Sequence, residues 1–309
     1  MKIKAPRNKT VVVSSEDELK YNGGLINLKN AVKTEDVMNK IINQDLFEAL
    51  KYLPSGFVDL LILDPPYNLS KKFNVVKFNK ITINDYSEWI EKFIVELKRT
   101  LKPDATVYFC SDWNSSTSVH LVMQKYFKVQ NRITWEREKG RGSKTNWKNN
   151  SEDIWFCTCS NNYTFNIEDV KMKRKVIAPY RTIDGDPKDW LEDENGSFRI
   201  TYPSNIWNDI SVPFWSMKEN TEHPTQKPEK LIAKLILASS NKGDVVLDPF
   251  MGSGTSAVTA KKLGRNFVGI EIDKKYCFLA AKRIEMAEND IKIQGYKDGI
   301  FWERNSSNS

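Results

Sequence analysis

Short apolar runs alternate along this chain with longer stretches whose apolar residues recur every three or four positions. The run at residues 58–63 is almost wholly apolar, which predicts a strand buried on both faces. The alternation predicts a doubly wound α/β fold, in which helices cover both faces of a mainly parallel sheet. Strands are predicted at 58–63, 106–110, 129–135, 154–159, 245–247 and 267–270, and helices at 86–99, 115–126, 228–236, 255–263 and 274–288.

Residues 160–222 interrupt this alternation, because Pro, Gly and charged residues replace the regular apolar positions. We interpret them as an insertion outside the sheet. The chain is therefore predicted to contain an N-terminal extension at 1–40, a first sheet segment at 41–159, the insertion, a second sheet segment at 223–290 and a C-terminal tail at 291–309. Neither the extension nor the tail is expected to carry chemistry.

The charge and composition of the chain restrict the kinds of partner and the cellular compartment that we expect for it. With 47 Lys and Arg against 40 Asp and Glu, the 309 residues carry a formal net charge of +7, which suits a polyanionic partner but also an ordinary basic surface. No apolar run resembles a signal peptide or approaches the length of a membrane span, so we expect a cytoplasmic protein without a membrane partner. The four cysteines form no CxxC pair and the chain has two histidines, so we expect no metal.

A Gly-rich turn joins a predicted strand directly to a helix in the second sheet segment. Gly252 and Gly254 leave backbone amides without a nearby Cβ, so a ligand can approach the start of the helix. The next strand ends at Glu271, where a carboxylate can accept both hydroxyls of a ribose. A GxG sequence alone is also typical of an ordinary tight turn between a strand and a helix that binds no ligand. Asp248 before the turn would repel a pyrophosphate but hold a cationic amino-acid group, which favours S-adenosylmethionine over a dinucleotide.

A strand of the first sheet segment ends at Asp64-Pro65-Pro66-Tyr67, where two prolines stop helix and strand pairing and fix an irregular loop. One reaction that such a loop can support is the activation of an exocyclic amine on a nucleobase. This amine shares its lone pair with the ring and is therefore a poor nucleophile. The Asp64 carboxylate and the Pro65 carbonyl can each accept one amine hydrogen, which directs the lone pair toward a methyl carbon. Tyr67 can stack on a base that has been extruded from a duplex. The alternative is a strand-ending turn with Tyr67 as a packing residue.

Three motifs in a fixed order resemble the beta class of DNA amino-methyltransferases: Asp64-Pro65-Pro66-Tyr67, His223-Pro224-Thr225-Gln226-Lys227-Pro228 and the turn at 248–255. The resemblance extends over about residues 41–288. It implies a sheet of the methyltransferase type, with a catalytic half at 41–159, a target-recognition insertion at 160–222 and a cofactor half at 223–290. The catalytic loop would be Asp64, Pro65, Pro66 and Tyr67. Together with Glu271, the residues expected to contact the cofactor are Asp45, Asp248, Pro249, Phe250, Gly252, Gly254, Thr255, Thr225 and Lys227.

The first residue of the catalytic loop separates target bases within the family that this chain resembles. An Asp at that position, here Asp64, is usual for adenine N6 and a Ser for cytosine N4, so adenine N6 is expected and cytosine N4 is the alternative. Methylation of cytosine C5 is disfavoured, because it needs a thiolate after a proline and no cysteine here follows one. Two other classes stay open: a catalytically silent DNA-binding relative, and an RNA or protein-glutamine methyltransferase, which usually has the cofactor turn first.

Two clusters of basic residues, one before the insertion and one in its first part, are expected to contact double-stranded DNA. The alternative for each cluster is a solvated surface. The clusters are Arg137, Lys139, Arg141 and Lys144, and Lys171, Lys173, Arg174, Lys175 and Arg181. The family resemblance further implies a homodimer and a cognate restriction endonuclease as partners, in a restriction-modification or epigenetic system.

Overall fold

A nine-stranded sheet forms the centre of the computed structural model, which describes residues 5–73, 76–137, 142, 144–176, 180–193 and 196–303. The strands are β1 (Leu25–Ile26), β2 (Lys40–Asn43), β3 (Val58–Leu63), β4 (Lys71–Phe73), β5 (Val76–Phe78), β6 (Leu101–Ser111), β7 (Lys128–Glu136), β8 (Ser151–Thr158), β9 (Met172–Lys175), β10 (Leu191–Asp193), β11 (Gly196–Thr201), β12 (Ile206–Trp207), β13 (Val245–Asp248), β14 (Asn266–Glu271), β15 (Tyr296–Lys297) and β16 (Ile300–Trp302). The helices are α1 (Ser15–Asn22), α2 (Thr34–Val37), α3 (Leu46–Leu50), α4 (Ile83–Thr100), α5 (Ser116–Tyr126), α6 (Glu229–Ser239), α7 (Thr255–Lys262) and α8 (Lys274–Asn289), with a short 3-10 helix at Ile167–Val170.

The strands of the main sheet lie in the order β1-β2-β14-β13-β3-β6-β8-β7-β12. Neighbouring strands are parallel except for the two pairs that β8 makes with β6 and β7. Parallel strands need long crossovers, which explains why apolar runs alternate with helical stretches in the sequence. The predicted doubly wound, mainly parallel α/β sheet is confirmed.

Helices cover both faces of this sheet because side chains along each strand point alternately to either side. In β3, Leu61 belongs to a buried cluster with Ile90 and Phe93 of α4. The preceding residue, Leu60, belongs to the cluster on the opposite face, with Leu235 of α6. Each of these side chains is almost inaccessible to solvent. Burying one such side chain stabilises the fold by about 1.5–3 kcal/mol, so the two helical layers hold β3 at the centre.

Helix α4 illustrates how a local signal fixes the start of an element. Thr82 caps the helix by accepting the amide hydrogen of Asp85 at 3.1 Å. The helix therefore begins at Ile83 and not at 86, since the cap rather than the apolar spacing sets its first turn. Its buried face recurs at helical intervals: Tyr86, Ile90, Phe93, Ile94 and Leu97. Within the described residues, no helix is both long and apolar enough to cross a bilayer.

The insertion and the C-terminal tail share a second, five-stranded sheet in the order β10-β11-β9-β16-β15. β16 runs parallel to β9, with Phe301 opposite Met172. The insertion also contributes β12 to the edge of the main sheet, where Trp207 lies opposite Trp135. The prediction that all of 160–222 lies outside the main sheet is therefore wrong for β12. The N-terminal extension likewise contributes β1 to the other edge.

A buried charge cluster fastens the insertion to α6. The Asp209 carboxylate lies 2.8 Å from the ammonium of Lys234 and 2.7 Å from that of Lys230, and the three side chains are between 1% and 8% exposed. The Lys234 ammonium also lies 4.8 Å from the ring centroid of Trp207 and 5.5 Å from that of Phe301. Burial lowers the pKa of Lys234 to about 8 against the opposing charge of Asp209. Insertion, tail and α6 thus meet at one desolvated ion cluster.

Candidate active site

The carboxyl ends of the central parallel strands open into a cavity of about 430 Å³. Asp64 follows the last residue of β3, while Asp248 ends β13 and Glu271 ends β14. Because the carboxyl ends of parallel strands share one edge of a sheet, three acids from distant parts of the chain line the same cavity. A cavity of this size accommodates a small molecule.

The cavity collects nearly all residues that the sequence assigns to catalysis or to cofactor contact. Those that line it are Asp45, Asp64, Pro65, Pro66, Tyr67, Thr225, Lys227, Asp248, Pro249, Phe250, Gly252, Thr255 and Glu271. Gly254 does not line it. Glu152, His223 and Tyr276 line it without having been predicted.

The loop after β3 is held in place by hydrogen bonds to neighbouring segments. Tyr86 donates its hydroxyl hydrogen to the Pro66 carbonyl at 2.9 Å. The buried Asn68 side chain bonds the backbone of the segment that leads into α4. The Asp64 side chain is 22% exposed. Its carboxylate is therefore anchored on a rigid loop while still reachable from the cavity.

Four charged side chains meet beside this loop. Lys227 Nζ lies 2.7 Å from Asp64 Oδ1 and 3.2 Å from Glu152 Oε2. Arg137 pairs with the other carboxylate oxygen of Glu152. The Tyr67 hydroxyl lies 3.0 Å from each of the two carboxylates and has one hydrogen to donate between them. The sequence assigns Lys227 to the cofactor and Arg137 to DNA, but the structure places both beside the acids of this cluster.

Glu152 is a site residue that no sequence motif identifies. It occupies an inward position of β8, where Glu152, Ile154 and Phe156 alternate toward the interior. In the sequence, Glu152 can be recognised because an acidic residue stands at a position where the alternation of the strand predicts an apolar one. Burial alone would lower the pKa of Lys227, but the charges of Asp64 and Glu152 outweigh burial and raise that pKa. The Lys227 ammonium therefore stays protonated between the two carboxylates.

The acids at the ends of β13 and β14 accept backbone amide hydrogens at the cavity wall. Asp248 accepts that of Phe250 at 3.0 Å. Glu271 accepts those of Gly252 at 2.8 Å and of Asp273 at 2.7 Å. Burial raises the pKa of each carboxyl group to about 7. Both groups are therefore close to the midpoint of their titration at neutral pH, and a neighbouring cation would favour their charged form.

Other predicted residues shape the same wall. Asp45 caps α3 by accepting two backbone amide hydrogens. Thr255 donates its hydroxyl hydrogen to the Lys227 carbonyl at 3.1 Å, which ties the Gly-rich turn to the segment before α6. The ring of Phe250 packs edge-on against that of Phe93, with centroids 5.3 Å apart. Among the described residues, no three His, Cys, Asp or Glu side chains are grouped so as to hold a metal ion.

The two glycines of the turn have different neighbours. Gly252 has a φ of +52°, and a Cβ there would lie 2.8 Å from Nε2 of His223. Gly254 has a φ of +78°, and a Cβ there would lie 2.6 Å from the Cβ of Ala280 in α8. Close packing of α7 against α8 therefore requires Gly254. This corrects the expectation that Gly254 leaves room for a ligand.

Gly254→Ala is expected to destabilise the fold by about 2–4 kcal/mol, because the added methyl group clashes with Ala280 and the left-handed backbone disfavours any Cβ. Gly243→Ala is the matched control, since Gly243 has a φ of +88° and no atom within 4 Å of an added Cβ. Its cost should be about 1 kcal/mol, from the backbone alone. Urea denaturation measures both losses, and equal values would argue against a packing role for Gly254.

The structure separates the members of the first basic cluster. Arg137 lines the cavity beside Glu152, and Lys144 is exposed to solvent. Lys139 and Arg141 lie outside the described residues. Arg137 is therefore placed to act inside the cavity rather than on a surface.

The second basic cluster lies on and beside the five-stranded sheet: Lys171, Lys173, Arg174, Lys175 and Arg181. The Lys173 ammonium lies 4.2 Å from the ring centroid of Phe198 and 4.4 Å from that of Trp302. The Arg181 guanidinium lies 4.9 Å from the ring centroid of Trp190. Lys175 and Arg181 are exposed. Part of this cluster thus packs on aromatic rings while part faces solvent.

Comparison with known proteins gives one consistent set of relatives. The chain matches the family described as DNA methylase over residues 58–282. It is 33% identical to the type II methyltransferase M.HpaI of Haemophilus parainfluenzae over 255 residues, which span 81% of this chain and 75% of that protein. It is also 33% identical to the DNA adenine methyltransferase YhdJ of Escherichia coli over 275 residues, which span 85% of this chain and 90% of that protein.

Two solved structures share the fold at low sequence identity. The M1.HpyAVI–SAM complex matches with a TM-score of 0.54 and 23% identity, over 79% of this chain and 98% of that one. The PvuII DNA methyltransferase, described as cytosine-N4-specific, matches with a TM-score of 0.58 and 18% identity, over 82% of this chain and 92% of that one.

Proposed function

The chain belongs to the DNA methylase family, and we propose that it transfers a methyl group from S-adenosylmethionine to N6 of adenine in double-stranded DNA. Membership makes it an S-adenosylmethionine-dependent DNA methyltransferase, and the target atom is the step that we propose. The observation that carries the proposal is the Asp64 carboxylate, which lines the same cavity as Asp248 and Glu271. An amine acceptor and the acids of a cofactor site thus share one enclosed space.

The donor set of the cavity fits a cationic nucleoside with an amino-acid group. Asp248 would hold the ammonium, since a nearby cation favours the charged form of a carboxyl whose pKa burial raises to about 7. Glu271 would accept the ribose hydroxyls through its remaining lone pairs. Phe250 and Asp45 would contact the adenine ring. When bound, S-adenosylmethionine supplies an electrophilic methyl group on a positively charged sulfur.

Asp64 and Pro65 would make the target amine nucleophilic. The carboxylate accepts one amine hydrogen and the Pro65 carbonyl accepts the other, which draws the nitrogen lone pair out of conjugation with the ring. The N–C bond forms as the C–S bond breaks, its electron pair passes to sulfur, and the surplus proton leaves the amine toward Asp64. Lys227 donates to both Asp64 oxygens at 2.7 Å and Tyr67 also contacts Oδ1, so Oδ2 is the oxygen that keeps a second lone pair for the amine.

Adenine is favoured over cytosine by the loop acid and by the name of a relative. Position 64 carries Asp, the residue typical of adenine enzymes in this class, where cytosine N4 enzymes usually carry Ser. The relative YhdJ is named a DNA adenine methyltransferase. A carboxylate can activate either amine, so cytosine N4 is the outcome that a product analysis has to exclude.

Duplex DNA would contact the exposed basic residues, and the target base would be extruded into the cavity against Tyr67. Lys144, Lys175 and Arg181 are exposed and suited to phosphate contact. The M.HpaI relative is named a type II methyltransferase. On that basis we propose that the chain methylates a specific recognition sequence and has a cognate restriction endonuclease as a partner. A second copy of this chain is a further proposed partner, as the family resemblance implies.

Sequencing of modified bases in DNA from cells that express the chain tests this proposal, with an Asp64→Ala variant as the matched control. We expect N6-methyladenine in one short sequence context with the wild-type chain and none with the variant. A wild-type chain that is folded and binds S-adenosylhomocysteine, yet leaves no modified base, would instead support a catalytically silent DNA-binding relative, and N4-methylcytosine would identify the alternative target.

A further inference from the structure

The charges of the cluster beside the catalytic loop cancel. Asp64 and Glu152 carry one negative charge each, and Lys227 and Arg137 carry one positive charge each. The side chains of Glu152 and Lys227 are only 5% and 8% exposed, whereas those of Asp64 and Arg137 are 22% and 33% exposed. Water screens charges poorly in such surroundings. A change of one unit charge in this cluster would therefore be felt at the neighbouring reaction centre.

Glu152 occupies the central place in the cluster. One of its oxygens accepts from Tyr67 at 3.0 Å and lies 3.2 Å from Lys227 Nζ. Its other oxygen pairs with Arg137. Asp64 has no contact with Arg137 among the ion pairs of the described residues, so Glu152 joins the two cations. Without Glu152 the cluster would keep two cations and one anion, a net charge of +1.

The methyl donor is sensitive to such a charge, and this step rests on the proposed function. The amine must touch Asp64, and the methyl carbon must approach the amine to about 3–3.5 Å, so the donor's positive sulfur has to lie within roughly 8 Å of the cluster. The product, S-adenosylhomocysteine, has a neutral sulfur in the same place. The amino-acid group, the ribose and the adenine are common to both molecules. The two molecules therefore differ at sulfur alone, by the methyl group and by the positive charge, and the charge is the difference that acts over this distance.

We propose that Glu152 is a positioning residue that balances the charge of this cluster, so that the site accepts the cationic methyl donor and does not favour its neutral product. It holds Lys227 and Tyr67 against Asp64 and offsets the second cation, Arg137. The arrangement assigns a role in cofactor discrimination to β8, a strand that carries no cofactor motif.

The test is the ratio of the Kd for S-adenosylhomocysteine to the Kd for S-adenosylmethionine, measured by titration calorimetry on the whole chain. In Glu152→Gln the ratio should fall about 5- to 30-fold, as expected for one added positive charge at roughly 8 Å in an effective dielectric of about 20–40. In Arg137→Gln, which removes a cation, the ratio should rise, by about 2- to 10-fold because Arg137 is partly exposed. The double variant should return close to the wild-type ratio.

Opposite shifts in the two single variants are the signature of charge balance, since a purely structural role would weaken both ligands together. Equal weakening of both ligands in Glu152→Gln, or a ratio that moves the same way in both variants, would overturn the proposal. If Glu152→Gln does not fold, the ratio of the two Kd values in Arg137→Gln still tests the proposal: a rise supports it, and an unchanged or lower ratio overturns it. A wild-type chain that binds neither ligand would overturn the proposed function itself, an outcome distinct from an unchanged ratio.

Discussion

Asp64→Ala is expected to lower the rate of methyl transfer by at least about 1,000-fold, because it removes the carboxylate that accepts an amine hydrogen. The variant should still fold, since Lys227 keeps Glu152 as an ionic partner at 3.2 Å. Its affinity for S-adenosylhomocysteine should stay within about three-fold of the wild-type value, because this ligand has no charged sulfur to sense the lost carboxylate. Single-turnover assays with labelled donor and calorimetry with the product measure the two quantities.

Asp64→Asn is the matched control, since it keeps the size of the side chain but replaces one acceptor oxygen by an NH2 donor. It should lose nearly as much activity as the alanine variant. Activity within ten-fold of wild type in the alanine variant would remove Asp64 from the chemistry, and such activity in the asparagine variant alone would show that a neutral acceptor oxygen is sufficient. Loss of product binding together with activity would mean that Asp64 holds the cofactor instead.

Asp209→Ala is expected to destabilise the fold by about 3–5 kcal/mol, because it takes the carboxylate away from two buried ammonium groups. Asp209 lies 2.8 Å from Lys234 and 2.7 Å from Lys230, and the three side chains are between 1% and 8% exposed. Urea denaturation monitored by tryptophan fluorescence measures the loss, since Trp207 lies against the same cluster.

Glu48→Ala serves as the control for Asp209→Ala, because it breaks an ion pair with Lys51 whose side chains are 55% and 57% exposed. Water screens this exposed pair, and its removal should cause no measurable loss. If the Asp209 variant were as stable as the Glu48 variant, the buried cluster would not be what fastens the insertion to α6.

The main sheet could be predicted because each of its central strands carries its own local signal. The run in β3 is apolar on both faces, and the helices around it have regular apolar spacing. The short strands gave no such signal. β12 has two residues and β16 has three, and their places depend on partners far along the chain, such as Met172 opposite Phe301. Pairings of this kind are fixed by tertiary packing and not by local sequence.

The residues of the candidate site also fall into those that the sequence predicts and those that only tertiary contacts identify. The residues of the three motifs follow strand ends, so the topology of a parallel sheet was enough to bring Asp64, Asp248 and Glu271 to one cavity. Glu152 reaches the cavity from β8, a strand antiparallel to its neighbours, and no motif surrounds it. Gly254 belongs to a motif, yet its tightest neighbour is Ala280 of α8, which lies in a separate helix. Contacts between distant segments therefore determine the roles of residues that the motifs alone do not define.

Product analysis tests the central claim most directly. The purified chain is incubated with duplex DNA and S-adenosylmethionine labelled in the methyl group, the DNA is digested to nucleosides, and the labelled nucleoside is identified by chromatography and mass spectrometry. We predict label in N6-methyl-2′-deoxyadenosine, with none above background when Asp64→Ala replaces the wild-type chain. Label mainly in N4-methyl-2′-deoxycytidine would contradict the target base, and label in C5-methyl-2′-deoxycytidine would contradict both the base and the amine mechanism built on Asp64.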